Sequence, residues 1–240
     1  MLRIVPALLL LIASSCSRKS TELPRPAAPV VPPAVATDTL KQRSYLALGD
    51  SYTIGQGVGE IERFPYLLAA GLRDSGYRVA PLQYIARTGW TTDELQGAIT
   101  ATTGLGTFDL VTLLVGVNDQ YRGRDTASYA PRFTQLLQTA IGLAGGRKER
   151  VFVLSIPDYS ATPYVPAADK ARVRAEIDLF NSVNRNITLA FGVSYTDITP
   201  GTRLAAGNGA LLAPDGLHYS AIEHARWAGL LLPKAAPALR

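Results

Sequence analysis

The sequence predicts an α/β fold in which a five-stranded parallel sheet carries helices on both faces. Three observations lead there. Five short strand-like runs, at residues 45–48, 78–86, 108–115, 151–156 and 193–198, alternate with segments of helical periodicity. Each connection is long enough for a helical return, which makes neighbouring strands parallel. Several of the runs are continuously apolar, as strands covered on both faces are.

Each element has its own signal. Residues 45–48 (Tyr-Leu-Ala-Leu) end in Gly49-Asp50-Ser51, a buried strand running into a tight turn. Pro65 stands at a first helical position, and Leu67, Leu68 and Leu72 follow at helical spacing before Gly76. After the second strand, Thr91-Thr92-Asp93-Glu94 opens a helix through about residue 100. Residues 108–115 form the third strand and 128–143 a long amphipathic helix; residues 151–156 form the fourth strand. Helix 169–191 keeps Ile177, Phe180, Val183 and Ile187 on one face; residues 193–198 form the last strand and 220–231 the closing helix.

Composition narrows the function. The chain has 240 residues, one Cys and two His, too few for an internal disulfide or a structural zinc site. Its formal charge of +5 suggests a polyanion partner until it is divided along the chain. Residues 1–43 hold six cations against Glu22 and Asp38, and the remaining 197 residues carry a net charge of only +1. The one short basic cluster of the body, Arg147, Lys148 and Arg150, brackets Glu149 and reads as a solvated loop. No nucleic-acid partner is expected.

The first 43 residues read as targeting and tether. Arg3 precedes ten apolar residues, 4–13, too few to span a bilayer but suited to a secretory signal. Because the lone Cys16 follows Ala13-Ser14-Ser15, the segment resembles a bacterial lipoprotein signal. On that reading residues 1–15 are removed, Cys16 carries the lipid, and a Pro-rich tether, 16–43, holds a domain spanning 44–240 near a membrane. An ordinary cleaved secretory signal is the alternative. Five prolines between Thr21 and Ala36 favour extended chain.

In a parallel sheet, ligands gather at the carboxyl ends of the strands. The residues there are Gly49-Asp50-Ser51, Arg87-Thr88-Gly89, Gly116-Val117-Asn118-Asp119, Pro157-Asp158-Tyr159 and, in the loop after the fifth strand, Asp215-Gly216-Leu217-His218. A Ser hydroxyl needs a base, and the base needs a partner that fixes its tautomer. His218 suits that part, with Asp215 three residues before it; His224, inside the closing helix, reads as a surface or cap residue. The backbone N–H groups of Ser51 and Gly89 and the side-chain amide of Asn118 can face a developing oxyanion.

These blocks carry a family resemblance. Gly49-Asp50-Ser51-Tyr52, Gly89, Gly116-Val117-Asn118-Asp119 and Asp215-Gly216-Leu217-His218 resemble, in order, the blocks of the SGNH/GDSL hydrolases. The resemblance implies a flavodoxin-like three-layer sandwich, Ser51 as nucleophile, His218 as base, Asp215 as its orienter, and an oxyanion site from Ser51, Gly89 and Asn118. It implies hydrolysis of a small-molecule ester or thioester with no metal and no cofactor, by a domain expected to be monomeric. Tyr52 replaces the family's Leu, and Tyr219 follows His218 where many relatives carry Pro.

Rival patterns fare worse. Gly55-Gln56-Gly57-Val58-Gly59 lacks the closing glycine of a dinucleotide fingerprint, since residue 60 is Glu. Asp50, Asp119 and Asp215 as a glycosidase pair or metal cluster would leave Ser51 and His218 without a task. A surface protein that binds an acyl or glycan ligand without turning it over stays open. For substrate contacts the sequence offers Asp50, Trp90 and Tyr121, with Tyr159 and Tyr164 in a Pro-bounded loop as a pocket wall; a lysophospholipid, a sugar acetate or another acyl ester would suit such a rim.

The lipid attachment has a direct check. In a bacterial host the full chain should take up a clickable fatty-acid label, and Cys16→Ser should lose it. Label retained by the variant would overturn Cys16 as the attachment point.

Overall fold

The computed structural model describes residues 40–240; the expected signal, Cys16 and the Pro-rich run lie outside the described residues. The chain runs β1 (Lys41–Gly49), α1 (Ser51–Ile54), α2 (Phe64–Gly71), β2 (Tyr77–Ala86), α3 (Thr92–Ala101), β3 (Leu110–Leu114), α4 (Val117–Tyr121) and α5 (Thr126–Leu143). It continues through β4 (Val151–Leu154), α6 (Lys170–Ala190), β5 (Ser194–Thr196), α7 (Thr199–Thr202) and α8 (Ala221–Ala238). The five strands form one sheet in the order β2-β1-β3-β4-β5, every neighbouring pair parallel. This is the flavodoxin-like order, whose direction of winding reverses between β1 and β3.

Burial explains the runs read from the sequence. All of β3 and β4 and residues Tyr45 to Gly49 of β1 are buried. β2 lies at the sheet edge and is only partly covered, and there Pro81 costs the sheet least. The strand β1 begins earlier than the expected domain start at residue 44: Lys41, Gln42 and Arg43 pair with Tyr77, Arg78 and Val79.

Helices cover both faces. α2 packs on α8, with α2 against β2 and α8 against β5; α3, α5 and α6 pack in series, with α3 against β2 and α5 against β3. The closing helix outlasts its expected end at 231, because its buried stripe, Trp227, Leu231 and Ala235, continues past Pro233. Packing of that stripe outweighs the hydrogen bond Pro233 cannot make.

Two expectations about polar residues are corrected. His224 is buried: its Nδ1 accepts from the Phe64 N–H at 3.2 Å and its ring lies 4.6 Å from that of Trp227. Burial, then the charges of His218 and Arg63, pulls its pKa down to about 3. The basic cluster is only partly solvated, since Arg150 pairs with Asp109 at 2.9 Å and Arg147 donates to the carbonyls of Ala144 and Phe108.

Candidate active site

The switch point between β1 and β3 is where the predicted residues gather. Gly49 ends β1 at a close approach: a Cβ there would lie 2.1 Å from Thr53 Oγ1 and 2.3 Å from the Leu114 carbonyl. Only glycine lets the strand turn so sharply into α1. Asp50 then caps α1, its Oδ1 accepting from the Tyr52 N–H at 3.0 Å. Ser51 is the first residue of that helix, where a backbone N–H has no partner within the helix.

After β3, α4 places Asn118 on the other side of the reversal. Its Nδ2 donates to the Trp90 carbonyl at 2.9 Å, joining the loop after β3 to the loop after β2. Its second amide hydrogen has no partner among the described residues. Gly89, in that β2 loop, has φ +86°, and its N–H makes no hydrogen bond among the described residues.

The loop after β5 carries His218, the candidate base. Leu212 and Tyr219 form an antiparallel bridge, and the Ala213 N–H donates to the His218 carbonyl at 2.8 Å, folding the segment back on itself. Asp215 lies in the bend between them. Its Oδ1 accepts the N–H groups of Leu217 and His218 at 3.0 and 2.9 Å, and its Oδ2 lies 2.6 Å from His218 Nδ1. A carboxylate at Nδ1 assigns the ring proton there and leaves Nε2 as the basic nitrogen. Burial raises the Asp215 pKa, but the His218 ring and the two backbone donors outweigh it, so the group stays below the usual carboxylate range. Tyr219, the departure noted in the sequence, anchors the loop: it is fully buried and its hydroxyl donates to the Asp158 carbonyl at 2.8 Å.

Ser51, Asn118, Tyr121 and His218 line one cleft of about 100 Å³, together with Tyr52, Val117, Tyr159, Tyr164 and Leu217. Ser51 is 5% and His218 8% exposed, so both are largely withdrawn from solvent. No hydrogen bond joins Ser51 Oγ to the imidazole among the described residues; such bonds commonly tighten only with substrate bound. Asp215 stands behind His218, outside the lining.

Three predicted residues fall elsewhere. Gly89 and Trp90 do not line the cleft, and Trp90 is half-buried against the core. Asp50 is fully buried, which removes it from substrate contact; it serves as the cap of α1, and its Oδ2 has no hydrogen-bond partner among the described residues. Burial is the main reason its pKa rises to about 7. Among the described residues, no cluster of His, Cys, Asp and Glu is arranged to hold a metal ion.

The site also has contacts that the sequence reading did not anticipate. Buried Asp119 accepts from the Thr92 N–H and Oγ1 at 2.9 and 2.8 Å and from Arg124 Nη1 at 3.0 Å. Arg124 also pairs with Asp93. Arg122 donates to the Gly89 carbonyl at 2.7 Å and to Glu94 at 3.1 Å. The available signal was spacing: once 117–121 is read as a helical turn, Asn118 and Arg122 are four apart and share a face.

The model of the GDSL-like lipase/acylhydrolase family matches residues 47–226. The chain belongs to this family. No curated protein matches the sequence. Among solved structures, a lipase/acylhydrolase from Enterococcus faecalis is 20% identical with a TM-score of 0.62, covering 81% of this chain and 96% of its own. The acetylxylan esterase Axe2 from Geobacillus stearothermophilus is 18% identical with a TM-score of 0.61, covering 82% and 96%. A psychrotrophic esterase, EstA from Pseudoalteromonas sp., is 18% identical with a TM-score of 0.60, covering 80% and 96%. At these identities the likeness is one of fold, and it agrees with the sheet order of this family member.

Asp50 provides a test of the buried cap. Folded, it keeps its proton up to about pH 7, whereas the ordinary value is 3.8. Its contribution to stability is therefore complete below pH 3.8 and is lost as pH rises through 7, where the folded chain must ionise a buried carboxyl. Asp50→Asn keeps a capping oxygen and removes the titration. Urea unfolding at pH 4.5 and pH 8 should show the variant gaining on the parent at the higher pH. An equal difference at both pH values would refute the raised pKa.

Proposed function

We propose that this acylhydrolase-family domain is a serine esterase for small acyl esters, working through an acyl-enzyme. The observation that carries the reading is the 2.6 Å contact of Asp215 Oδ2 with His218 Nδ1, on an imidazole that shares its cleft with Ser51 and Asn118. In the proposed reaction, Ser51 Oγ bonds to the ester carbonyl carbon while its proton passes to His218 Nε2. The carbonyl oxygen takes the negative charge and faces the Ser51 and Gly89 N–H groups and the Asn118 amide. The bond to the alcohol oxygen then breaks, that oxygen takes the proton from Nε2, and the acyl group remains on Ser51. Water adds to the acyl carbon with loss of a proton to Nε2. Collapse returns the proton to Ser51 Oγ and frees the acid. Asp215 stays ionised throughout and steadies the imidazolium.

The cleft is open on one side and continues past Tyr121 and Tyr159 into a neighbouring hollow, so the reading is limited to small acyl esters by the polar groups at Ser51 and Asn118 and not by volume. A second, narrower reading, a carbohydrate O-acetylesterase, draws on the rim. Tyr121 and Tyr164 are 57% and 49% exposed, with their hydroxyls 3.0 Å apart, and Tyr159 lies beside Tyr121. Ring faces with hydroxyls at their edge suit a sugar alcohol. We further propose that the enzyme is exported and held at a membrane through Cys16, as a monomeric domain on its Pro-rich tether.

The test is hydrolysis of 4-nitrophenyl acetate. Ser51→Ala should lower the rate by at least about 10⁴-fold, and a serine-directed phosphonate should add one label to the parent and none to the variant. Equal rates for parent and variant would replace the esterase with a binding protein. A profile across acetylated sugars and lysophospholipids would then separate the two leaving-group classes.

A further inference from the structure

The turn that carries Gly89 is held by hydrogen bonds rather than by packing at its tip. A Cβ on Gly89 would meet nothing within 4 Å, so no side chain presses the turn into place. Two consecutive carbonyls of the turn are instead held from the segment after β3. Asn118 Nδ2 takes the Trp90 carbonyl at 2.9 Å, and Arg122 Nη2 takes the Gly89 carbonyl at 2.7 Å.

Arg122 is also tied to the start of α3. Its Nη1 donates to Glu94 Oε1 at 3.1 Å, while Glu94 Oε2 accepts the Thr91 N–H at 2.9 Å as part of the α3 capping box. One guanidinium thus joins the glycine carbonyl, the helix cap and the turn that bears Asn118. A planar fork with several fixed donors suits this bridging better than the flexible ammonium of Lys.

We propose that Arg122 is a positioning residue for ester hydrolysis: by holding the Gly89 carbonyl it fixes the direction of the Gly89 N–H, the group that the serine-esterase reading turns towards the oxyanion from beyond the cleft lining. The proposal rests on the serine-esterase reading above. With φ in the left-handed region, Gly89 has backbone freedom that two hydrogen bonds together restrict: the Trp90 N–H to Arg87 carbonyl bond closing the turn, at 3.2 Å, and the Arg122 bond to its own carbonyl. The effect belongs to the transition state, because the oxygen carries its full charge only there. Arg122 touches neither substrate nor the reacting atoms in this scheme.

The experiment uses the full chain with Arg122→Ala, Arg122→Lys and Arg122→Gln, assayed on 4-nitrophenyl acetate. Arg122→Ala should lower kcat by about tenfold to 100-fold with KM within about twofold. Inactivation by the phosphonate should slow by the same factor, since that reaction also places charge on an oxygen in the oxyanion site. Arg122→Lys should recover part of the loss and Arg122→Gln less, and the pH–rate profile should keep its shape. Melting temperatures should stay within about 4 °C of the parent, because an exposed ion pair contributes little stability. Unchanged kcat, a loss confined to KM, or a loss that follows the folded fraction would overturn the proposal. Should the parent show no Ser51-dependent hydrolysis, the esterase reading fails; should the parent be active and all three variants match it, only the role of Arg122 fails.

Discussion

The carboxylate of Asp119 is the interaction on which the arrangement of the site depends. In the order β2-β1-β3, the loops that follow β2 and β3 are separated by the strand that delivers Ser51. They must meet past the end of β1 if Gly89 and Asn118 are to flank the serine. Asp119, wholly buried, ties them by accepting both the N–H and the hydroxyl of Thr92 and a donor from Arg124. Removing one partner of a buried, hydrogen-bonded charge commonly costs about 3–5 kcal/mol. A carboxylate so placed joins the two loops at their buried base.

The two other carboxylates near the serine are driven in opposite directions. Asp50 is buried with one oxygen unpartnered, and its pKa rises; Asp215 is partly exposed with three donors, and its pKa falls. Asp50, next to Ser51, is thereby disposed to hold its proton near neutrality, while Asp215, beside His218, remains an anion. Divergent environments of this sort assign roles to residues of identical chemistry. Had Asp50 been ionised with Asp119 nearby, two buried like charges would sit at the head of α1.

Much of this was legible in the sequence, for identifiable reasons. Strands buried on both faces leave continuous apolar runs, so β3 and β4 announced themselves, and the Thr91 to Glu94 capping box marked the start of α3 within a residue. The helices α1, α4 and α7 did not, because four or five residues are too few to show a period. The histidine pair shows the other limit. His218 could be chosen from its distance to Asp215, but the burial of His224 depends on which face of α8 meets Phe64, the face that also carries Trp227. Asp50 was misread for a related reason: its place at a strand end suggested the rim, whereas capping α1 turns its side chain inward. Arg122 escaped notice because its partner is a backbone carbonyl, which has no residue-type signature.

Stability and alignment are divided along the join between the two loops. At its base lie Asp119 and Thr92, both fully buried; at its tip lie Arg122 and Glu94, whose side chains are 45% and 39% exposed. Screening by water makes the outer pair a minor contributor to folding. Geometry is not screened in the same way: a misplacement of about 1 Å in a catalytic group can cost on the order of 100-fold in rate. On the proposed esterase reading the outer pair therefore sets the aim of the Gly89 N–H, while the buried carboxylate bears the cost of holding the loops together. A fold of this kind can vary its tip through surface residues without disturbing the core beneath, which fits the likeness of fold, at TM-scores of 0.60–0.62, between this chain and solved structures only 18–20% identical to it.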